Sequence, residues 1–249
     1  MHDTPISIPA AFRATAAQYP DLPLVWRPQA PASFAEVDRA SDRVAAALAR
    51  GGIQPGDRVA LYCINDLSFV QAYLGIQKAG GVVVPVNLLI GSEEITYILN
   101  DAGVRALIYH QVMADRVGAF RDALEDLTLV NCIGDQPNRD TDQLFSEWLA
   151  VEGEWQAVEV DPREDLAAIL YTSGTTGHPK GAMLTHHNLV SNTRSVQQAL
   201  QLQPGVERLL VVLPLFHSFA ATVGMLTPCL HGLTIVPVPK FDPALVSRV

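Results

Sequence analysis

The chain has 249 residues, enough to bury a substantial core in one large or two smaller domains. Hydrophobic residues make up 49% of it and charged residues 17%, a balance that fits a globular protein and excludes a disordered one. The formal net charge of −9 argues against nucleic acid as the main partner, because nucleic-acid-binding proteins usually carry a positive excess.

The cysteines and the distribution of apolar residues indicate the compartment. The cysteines lie far apart and show no metal-ligand or redox spacing: Cys63, Cys132 and Cys229. We therefore expect buried free thiols in a reducing compartment. The N-terminus has no basic region followed by an apolar core, and the most apolar stretch, 209–239, is interrupted by prolines and histidines. These features predict a soluble, cytoplasmic protein with no integral membrane segment.

The first half of the chain alternates between predicted helices and predicted strands. Ser33 and Glu36 form a capping box, in which each side chain accepts a hydrogen bond from the other residue's backbone, and so start a helix. Asp66 and Ser92 are predicted to cap the next two helices. These helices end near Gly51, Gly80 and Asn100, and a fourth spans about 111–125. The predicted strands are 59–64, 82–84, 107–109 and 127–130.

This order of elements predicts the fold class. Strands that are apolar on both faces and separated by helices are typical of a parallel sheet with helices packed against it. The predicted fold is therefore α/β, with mostly parallel sheets flanked by helices. Residues 134–165 are polar and acidic, which predicts a surface connection with one helix near 144–150.

The second half continues the alternation. Helices are predicted at about 186–200 and 219–230, and strands at 209–213 and 233–238. Asp242 and Pro243 have the pattern of an N-cap followed by proline at the first helical position. The helix that they start would reach Val249 without a stop signal, so we expect the chain to end partway through a fold.

Residues 171–181, with the sequence YTSGTTGHPKG, carry the strongest chemical signal. Glycine lets backbone N–H groups approach an anion closely, and successive N–H groups form a concave nest for phosphate oxygens. The hydroxyls of this stretch add neutral donors, and Lys180 adds a mobile positive charge. The segment therefore predicts a site that binds polyphosphate. The alternative is a solvated hairpin loop rich in glycine, threonine and serine.

Two familiar phosphate loops do not fit this stretch. The Walker pattern requires Gly-Lys followed by Ser or Thr at the start of a helix, whereas Pro179 precedes Lys180 and Gly181 follows it. The Rossmann spacing of glycines is also absent. Since short apolar runs flank the segment on both sides, we predict a loop between two short strands, without a helix N-terminus aimed at the phosphates.

Residues 172–181 resemble the phosphate-loop signature of the adenylate-forming enzymes, which include acyl-CoA synthetases, aryl-CoA ligases, luciferases and peptide-synthetase adenylation domains. Every fixed position is met, with His178 at the variable place, and the resemblance runs over most of the chain, most clearly from Ser33 to Pro243. It implies the N-terminal part of the large domain of such an enzyme. Residues 1–165 would form a first α/β lobe. Residues 166–249 would form the phosphate-loop hairpin and the start of a second, incomplete lobe, with the C-terminal domain absent.

The resemblance also implies a reaction and its ligands. A carboxylic acid, fatty or otherwise apolar, reacts with ATP to give an acyl-adenylate, and the acyl group then passes to coenzyme A. ATP, Mg²⁺ and coenzyme A are thus implied. The residues implied to hold the β- and γ-phosphates are Thr172, Ser173, Gly174, Thr175, Thr176, Gly177 and Lys180, and Thr176 would also help to hold Mg²⁺. They would act by positioning and by neutralising charge on the departing pyrophosphate.

A second motif, residues 213–217, is similar to the Pro-x-Phe-His segment of the same family. The resemblance implies that His217 lines the acyl pocket near the reacting carboxylate and that Phe219 contributes to its apolar wall. The alternative is a core histidine whose ring is satisfied by a backbone carbonyl. The adjacent His186 and His187 point in different directions on a helix and cannot share a metal ion through one face. The similarity of this stretch to the family's Thr-His-x-Asn segment implies a structural role for His186.

Family members continue beyond the point where this chain ends. Their adenine- and ribose-binding residues, the glutamate that completes the Mg²⁺ site and the domain with the catalytic lysine lie further downstream. We therefore name no catalytic residue in this fragment, and we expect the chain alone to be incomplete for turnover as an acid–thiol ligase. An aryl-acid CoA ligase, a non-catalytic nucleotide-binding module and a truncated inactive fragment remain open, as does a homodimer of the full-length parent.

Overall fold

Apolar strands and amphipathic helices alternate in the computed structural model, which describes residues 5–27, 29–151, 155–156, 158–172 and 177–239. The helices are α1 Ile8–Gln18, α2 Phe34–Arg50, α3 Leu67–Lys78, α4 Ser92–Asp101, α5 Ala114–Gly118, α6 Phe145–Ala150, α7 His186–Ala199 and α8 Thr227–His231. The strands are β1 Pro23–Val25, β2 Ala32–Ser33, β3 Arg58–Tyr62, β4 Val82–Pro85, β5 Val104–His110, β6 Leu129–Ile133, β7 Gln143–Leu144, β8 Leu166–Thr172, β9 Lys180–Thr185, β10 Arg208–Val211 and β11 Thr234–Pro237.

The larger sheet has seven strands in the order β7-β6-β5-β3-β4-β8-β9. Every pairing from β7 to β8 is parallel, and β9 pairs with β8 in the antiparallel direction. All four residues of β4 are buried, as expected of a strand covered by helices on both faces. The prediction of an α/β fold with mostly parallel sheets is confirmed.

A smaller sheet has the order β10-β11-β1-β2 and joins distant parts of the chain. Val25 of β1 pairs in parallel with Ile235 of β11. The sequence does not predict β1, β2 or α1, because the strands are very short and most apolar residues of α1 are alanines, which do not mark one face clearly. The proposed division at residue 165 stays a prediction, and strands from both sides of that residue occur in both sheets.

The structure confirms two of the predicted helix starts. Ser33 accepts from the backbone N–H of Glu36 at 3.2 Å, and Glu36 accepts from that of Ser33 at 2.7 Å. Asp66 accepts from the backbone N–H of Ser68 at 2.5 Å. The prediction that Ser92 is a cap is wrong, because Gly91 occupies the N-cap position and Ser92 is the first residue of α4.

The predicted helix over 111–125 is also wrong. The segment forms a 3₁₀ turn, the short helix α5 and a second 3₁₀ turn at 121–123. Helix α5 ends at Gly118, where a Cβ atom would lie 2.8 Å from Nδ2 of Asn138. The Asn138 side chain could move to make room, so space alone does not require glycine at this point, but glycine is a poor helix former and disfavours one continuous helix here.

The predicted helix over 219–230 begins as a π-helix at Ala220–Leu226 and continues as α8. Proline has no backbone N–H, and its ring clashes with the carbonyl four residues earlier in a regular α-helix. Pro228 therefore disfavours a continuous α-helix, and the wider π turn before it avoids the clash. The predicted cap at Asp242 and Pro243 lies outside the described residues.

A buried lysine joins the helices behind the large sheet. Nζ of Lys78, at the end of α3, lies 2.6 Å from Oδ1 of Asp38 and 2.8 Å from Oδ1 of Asp42, both on α2. It also donates to the backbone carbonyl of Asp38 at 2.8 Å. A buried ammonium group is tolerated only with such partners, so these three residues fix α2 against α3.

All three cysteines are buried and free, so that part of the cysteine prediction is confirmed. Burial raises the pKa of Cys63 and Cys229, which keeps both thiols protonated and unreactive. None of the helices among the described residues has the length and apolar character needed to cross a membrane.

His186 has a structural role in this fold. It is the first residue of α7, and its Nδ1 accepts a hydrogen bond from the backbone N–H of Ile8, at the start of α1. Accepting this bond requires an unprotonated nitrogen. Burial lowers the pKa of His186 to about 4, and the nearby charge of Asp165 only partly opposes the shift. The neutral imidazole therefore ties α1 to α7.

This geometry predicts a pH-dependent stability. The unfolded chain binds a proton at His186 below about pH 6.5, whereas the folded chain does not until about pH 4. The free energy of unfolding should therefore fall as the pH drops through this window, by about 2 kcal/mol at pH 5 from this group. Urea unfolding at pH 7 and pH 5 measures the loss.

The matched variants are His186→Asn and His187→Asn. Asparagine at position 186 can place an amide oxygen near the Ile8 N–H but does not titrate, so this variant should lose less stability than the wild type between the two pH values. His187→Asn should follow the wild-type curve. Equal losses in all three proteins would contradict the role of His186.

Candidate functional site

The glycine-rich segment lies at the end of a hairpin on one edge of the large sheet. We call residues 166–185 the phosphate hairpin; it consists of β8, the loop and β9. Thr172 pairs with Lys180 at the last rung of the ladder, and Tyr171 pairs with Gly181. The prediction of a loop between two strands is confirmed. The tip residues Ser173, Gly174, Thr175 and Thr176 lie outside the described residues, so their predicted roles stay predictions.

The described residues next to the tip are open to solvent. Thr172, Gly177 and Lys180 are all exposed. Gly177 has a φ of +136°, and a Cβ atom there would meet nothing within 4 Å. Glycine is therefore required at 177 by backbone conformation and not by lack of space. Among the ion pairs of the described residues, none includes Lys180, which leaves its ammonium group available to an anion.

A cavity of about 310 Å³ lies beside the hairpin. Thr172 and Pro179 of the hairpin form one side, and Phe216, His217 and Ser218 form another. The remaining lining residues come from the end of β4 and the segment after it, from α4 and from β8: Pro85, Val86, Asn87, Ile90, Glu94, Ile98, Leu170 and Tyr171. The two motifs, 45 residues apart at Thr172 and His217 in the sequence, thus meet at one cavity.

His217 is exposed at this cavity, which disagrees with the alternative of a core histidine. Its backbone is held at both ends, since its N–H donates to Pro214 at 3.0 Å and its carbonyl accepts from Ala221 at 2.8 Å. The Phe216 ring lies beside the imidazole, with centroids 4.8 Å apart. Phe219 is 63% exposed and does not line the cavity, so its place in an apolar wall stays a prediction.

Asn65 holds the segment that carries His217, and the sequence analysis missed it. Asn65 is buried just after β3, and its Nδ2 donates to the carbonyl oxygens of Val211 at 3.3 Å and Leu213 at 2.9 Å. Its Oδ1 accepts from the N–H of Leu215 at 2.7 Å. A polar residue directly after a parallel strand is a signal that could have indicated it, since ligands bind at this edge of α/β sheets.

The described residues contain no group of three or more histidine, cysteine, aspartate or glutamate side chains suited to hold a metal ion. Glu94 is a carboxylate at the cavity, and Thr172 contributes a hydroxyl. The cavity therefore brings together the Thr172 hydroxyl, the Glu94 carboxylate and the His217 imidazole, and the exposed Lys180 lies next to it as the strand partner of Thr172. Such a set can bind an anion and orient a neighbouring polar group.

Comparisons with known proteins show which family the chain resembles. A family model described as AMP-binding enzyme matches residues 12–249. The chain is 33% identical over 211 residues to the long-chain-fatty-acid–CoA ligase FadD13 of Mycobacterium tuberculosis, covering 84% of this chain and 40% of that protein. It is 34% identical over 220 residues to a feruloyl-CoA synthase of Amycolatopsis sp., covering 86% of this chain and 40% of that protein.

The structural comparison extends over almost the whole chain. The ATP-bound crystal structure of MatB from Rhodopseudomonas palustris matches with a TM-score of 0.81 at 28% identity, covering 97% of this chain and 47% of that one. The chain thus spans less than half of the length of each of these three proteins.

The Asn65 contacts predict a large effect of substitution. Asn65→Leu removes three hydrogen bonds and leaves the partner backbone groups unsatisfied, so the free energy of unfolding should fall by about 3 kcal/mol. Urea unfolding measures this, with Asn192→Leu on the exposed face of α7 as the control. A change below about 1 kcal/mol in Asn65→Leu would mean that the 211–215 segment does not depend on this side chain.

Proposed function

Because the chain belongs to the AMP-binding enzyme family, we propose that it provides the pyrophosphate-holding hairpin and part of the acyl pocket for ATP-dependent activation of a carboxylic acid. The acid would form an acyl-adenylate and then an acyl-CoA. The observation that carries this proposal is that Thr172 and His217 line one cavity. A phosphate-binding hairpin and an acid-binding pocket must meet in this way for the carboxylate to reach the α-phosphate.

The proposed first step joins a carboxylate oxygen to the α-phosphorus of ATP and breaks the bond from that phosphorus to the bridging oxygen of pyrophosphate. Negative charge grows on the departing pyrophosphate. The Lys180 ammonium group and the donors of the hairpin would stabilise this charge by positioning and by electrostatic attraction. In the second step the thiol sulfur of coenzyme A attacks the acyl carbon, and AMP leaves with the bonding electrons.

The described residues fit a polyphosphate in two respects. Lys180 stands at the last rung of the hairpin with no carboxylate partner among the described ion pairs, and Gly177 has open space where its Cβ would be. Magnesium is usually held by the phosphates together with one or two protein oxygens, so a large carboxylate cluster is not required. We propose Thr176 as the protein hydroxyl that helps to hold Mg²⁺.

The acid is proposed to be apolar. Ile90, Ile98, Leu170 and Phe216 line the cavity beside His217. A second cleft of about 530 Å³ shares Phe216 and is bordered mainly by aliphatic side chains and prolines. Both observations favour a hydrophobic acid, in line with the fatty-acid ligase among the relatives.

An aryl acid is the second candidate, and the similarity to a feruloyl-CoA synthase favours it. The proposal also includes a cytoplasmic location, which the three buried free thiols support because thiols persist in reducing compartments.

Nucleotide binding tests the phosphate hairpin directly. Lys180→Ala should weaken binding of ATP·Mg²⁺ by about tenfold to a hundredfold, because it removes a charge-assisted contact to phosphate. Isothermal titration calorimetry of the 249-residue chain measures the affinity. Arg50→Ala, which removes an exposed cation from the end of α2, is the matched control and should bind as the wild type does. Equal binding by the wild type and Lys180→Ala, or no binding by the wild type, would argue against the proposal.

A stable acyl-adenylate analogue tests the acid pocket. We expect His217→Ala to weaken binding of a decanoyl sulfamate analogue of acyl-AMP by about three- to tenfold, the effect of losing one polar contact. Comparing decanoyl and feruloyl analogues by the same titration distinguishes the fatty from the aryl acid. Phe219→Ala is the comparison variant and should bind as the wild type does, because Phe219 lies outside the cavity lining. Unchanged affinity in His217→Ala would remove this residue from the pocket.

A further inference from the structure

The phosphate hairpin contacts helix α4 at two points. The Tyr171 phenol donates a hydrogen bond to Oδ2 of Asp101 at 2.5 Å. The His178 ring stacks on the Tyr97 ring, with centroids 4.5 Å apart and an angle of 22° between the planes. Contacts between aromatic rings at this distance are favourable. None of these four side chains takes part directly in the proposed chemistry.

The two helix residues are placed to act together. Tyr97 and Asp101 are four residues apart in α4, and residues at this spacing lie on the same face of a helix. Their partners belong to opposite limbs of the hairpin, since Tyr171 lies in β8 and His178 precedes β9. One face of α4 therefore holds both limbs, on either side of the loop tip.

Gly181 allows Tyr171 to reach Asp101. Tyr171 pairs with Gly181 across the hairpin, and a Cβ atom at position 181 would lie 3.0 Å from Cζ of the Tyr171 ring and 2.7 Å from Cγ2 of Ile169. Burial raises the pKa of Tyr171, and the hydrogen bond to Asp101 adds to the shift. The phenol therefore keeps its proton at neutral pH and remains a donor to the carboxylate.

Helix α4 is itself fixed relative to the cavity. The Arg116 guanidinium donates to the backbone carbonyls of Leu88 and Ile90, in the segment that leads into α4. Ile98 of α4 lines the same cavity as Thr172 of the hairpin. A hairpin held on α4 is thus held relative to the cavity wall.

We propose that Tyr97 and Asp101 are positioning residues that clamp both limbs of the phosphate hairpin and so fix the place where Lys180 meets the polyphosphate. The Asp101 carboxylate is unsuited to touch the nucleotide, because like charges repel, and it acts through Tyr171. The Tyr97 ring acts through His178. That the bound ligand is a nucleotide rests on the function proposed above. The contacts of Tyr97 and Asp101 with the hairpin do not depend on that function.

Amide hydrogen exchange and nucleotide binding test the clamp in the 249-residue chain. Tyr97→Leu and Asp101→Ala each remove one contact, so the amides of β8 and β9 nearest the tip should exchange about threefold faster, or more, without ligand. The affinity for ATP·Mg²⁺ should fall about three- to tenfold in each variant, as expected for loss of one such contact. Calorimetry and mass-spectrometric exchange give the two readouts.

Conservative variants separate positioning from general destabilisation. Tyr97→Phe keeps the ring and Asp101→Asn keeps an acceptor for the phenol, so both should retain the exchange rates and affinity of the wild type. Glu93→Ala is the matched control, because it removes an exposed carboxylate from the first turn of the same helix. It should also behave as the wild type does.

Unchanged exchange in Tyr97→Leu and Asp101→Ala would overturn the proposal, as would an equal effect of Glu93→Ala or failure of the two conservative variants. Faster exchange with unchanged affinity in a chain that binds ATP·Mg²⁺ would overturn the positioning role. If the wild type binds no nucleotide, the function proposed above fails, and the exchange rates alone then support or reject the clamp.

Discussion

The reversal of chain direction at the edge of the large sheet determines where the phosphate site can lie. Strand β8 extends the parallel order beside β4, and β9 then returns along β8, so that Thr172 and Lys180 are partners at the open end. The ladder keeps these two residues together without a helix N-terminus. Residues 167–169 of β8 are buried in the sheet, and Thr172 at its end lines the cavity, so the last residue before the loop has a fixed position. The site depends on this fixed point more than on any single side chain.

Irregular segments around the cavity are held by a few polar side chains from neighbouring elements. Asn65 binds the backbone of residues 211–215, and Arg116 binds the segment before α4. Each side chain supplies the backbone groups of a loop with partners that a regular strand or helix would have supplied. Loops of this kind can hold a motif such as His217 at a defined place while leaving its side chain accessible. These hydrogen bonds thus fix the loops relative to the large sheet.

Local sequence signals predicted the elements that depend on local chemistry. The capping box at Ser33, the cap at Asp66 and the hairpin around the glycine-rich loop all follow from neighbouring residues, and the structure has them. The failures have tertiary causes. Strand β1 has only three residues, and it pairs with β2 on one side and with the distant strand β11 on the other, which its own residues do not indicate. The family resemblance implies separate roles for Thr172 and His217, whereas their meeting at one cavity and the contacts of Asn65 and α4 depend on packing that no single segment encodes.

The position of β1 in the small sheet has a consequence for how the chain acquires its structure. The hydroxyl of Thr234 donates to the carbonyl of Pro23 at 2.7 Å, a contact between residues 211 positions apart. Bringing such distant segments together carries a high loop-closure entropy, and contacts of this kind form late. During synthesis, β1 must remain without its parallel neighbour until almost the whole described chain has emerged from the ribosome. An N-terminal strand in that situation exposes an unpaired edge, so the nascent chain is at its most prone to mispairing before β11 appears.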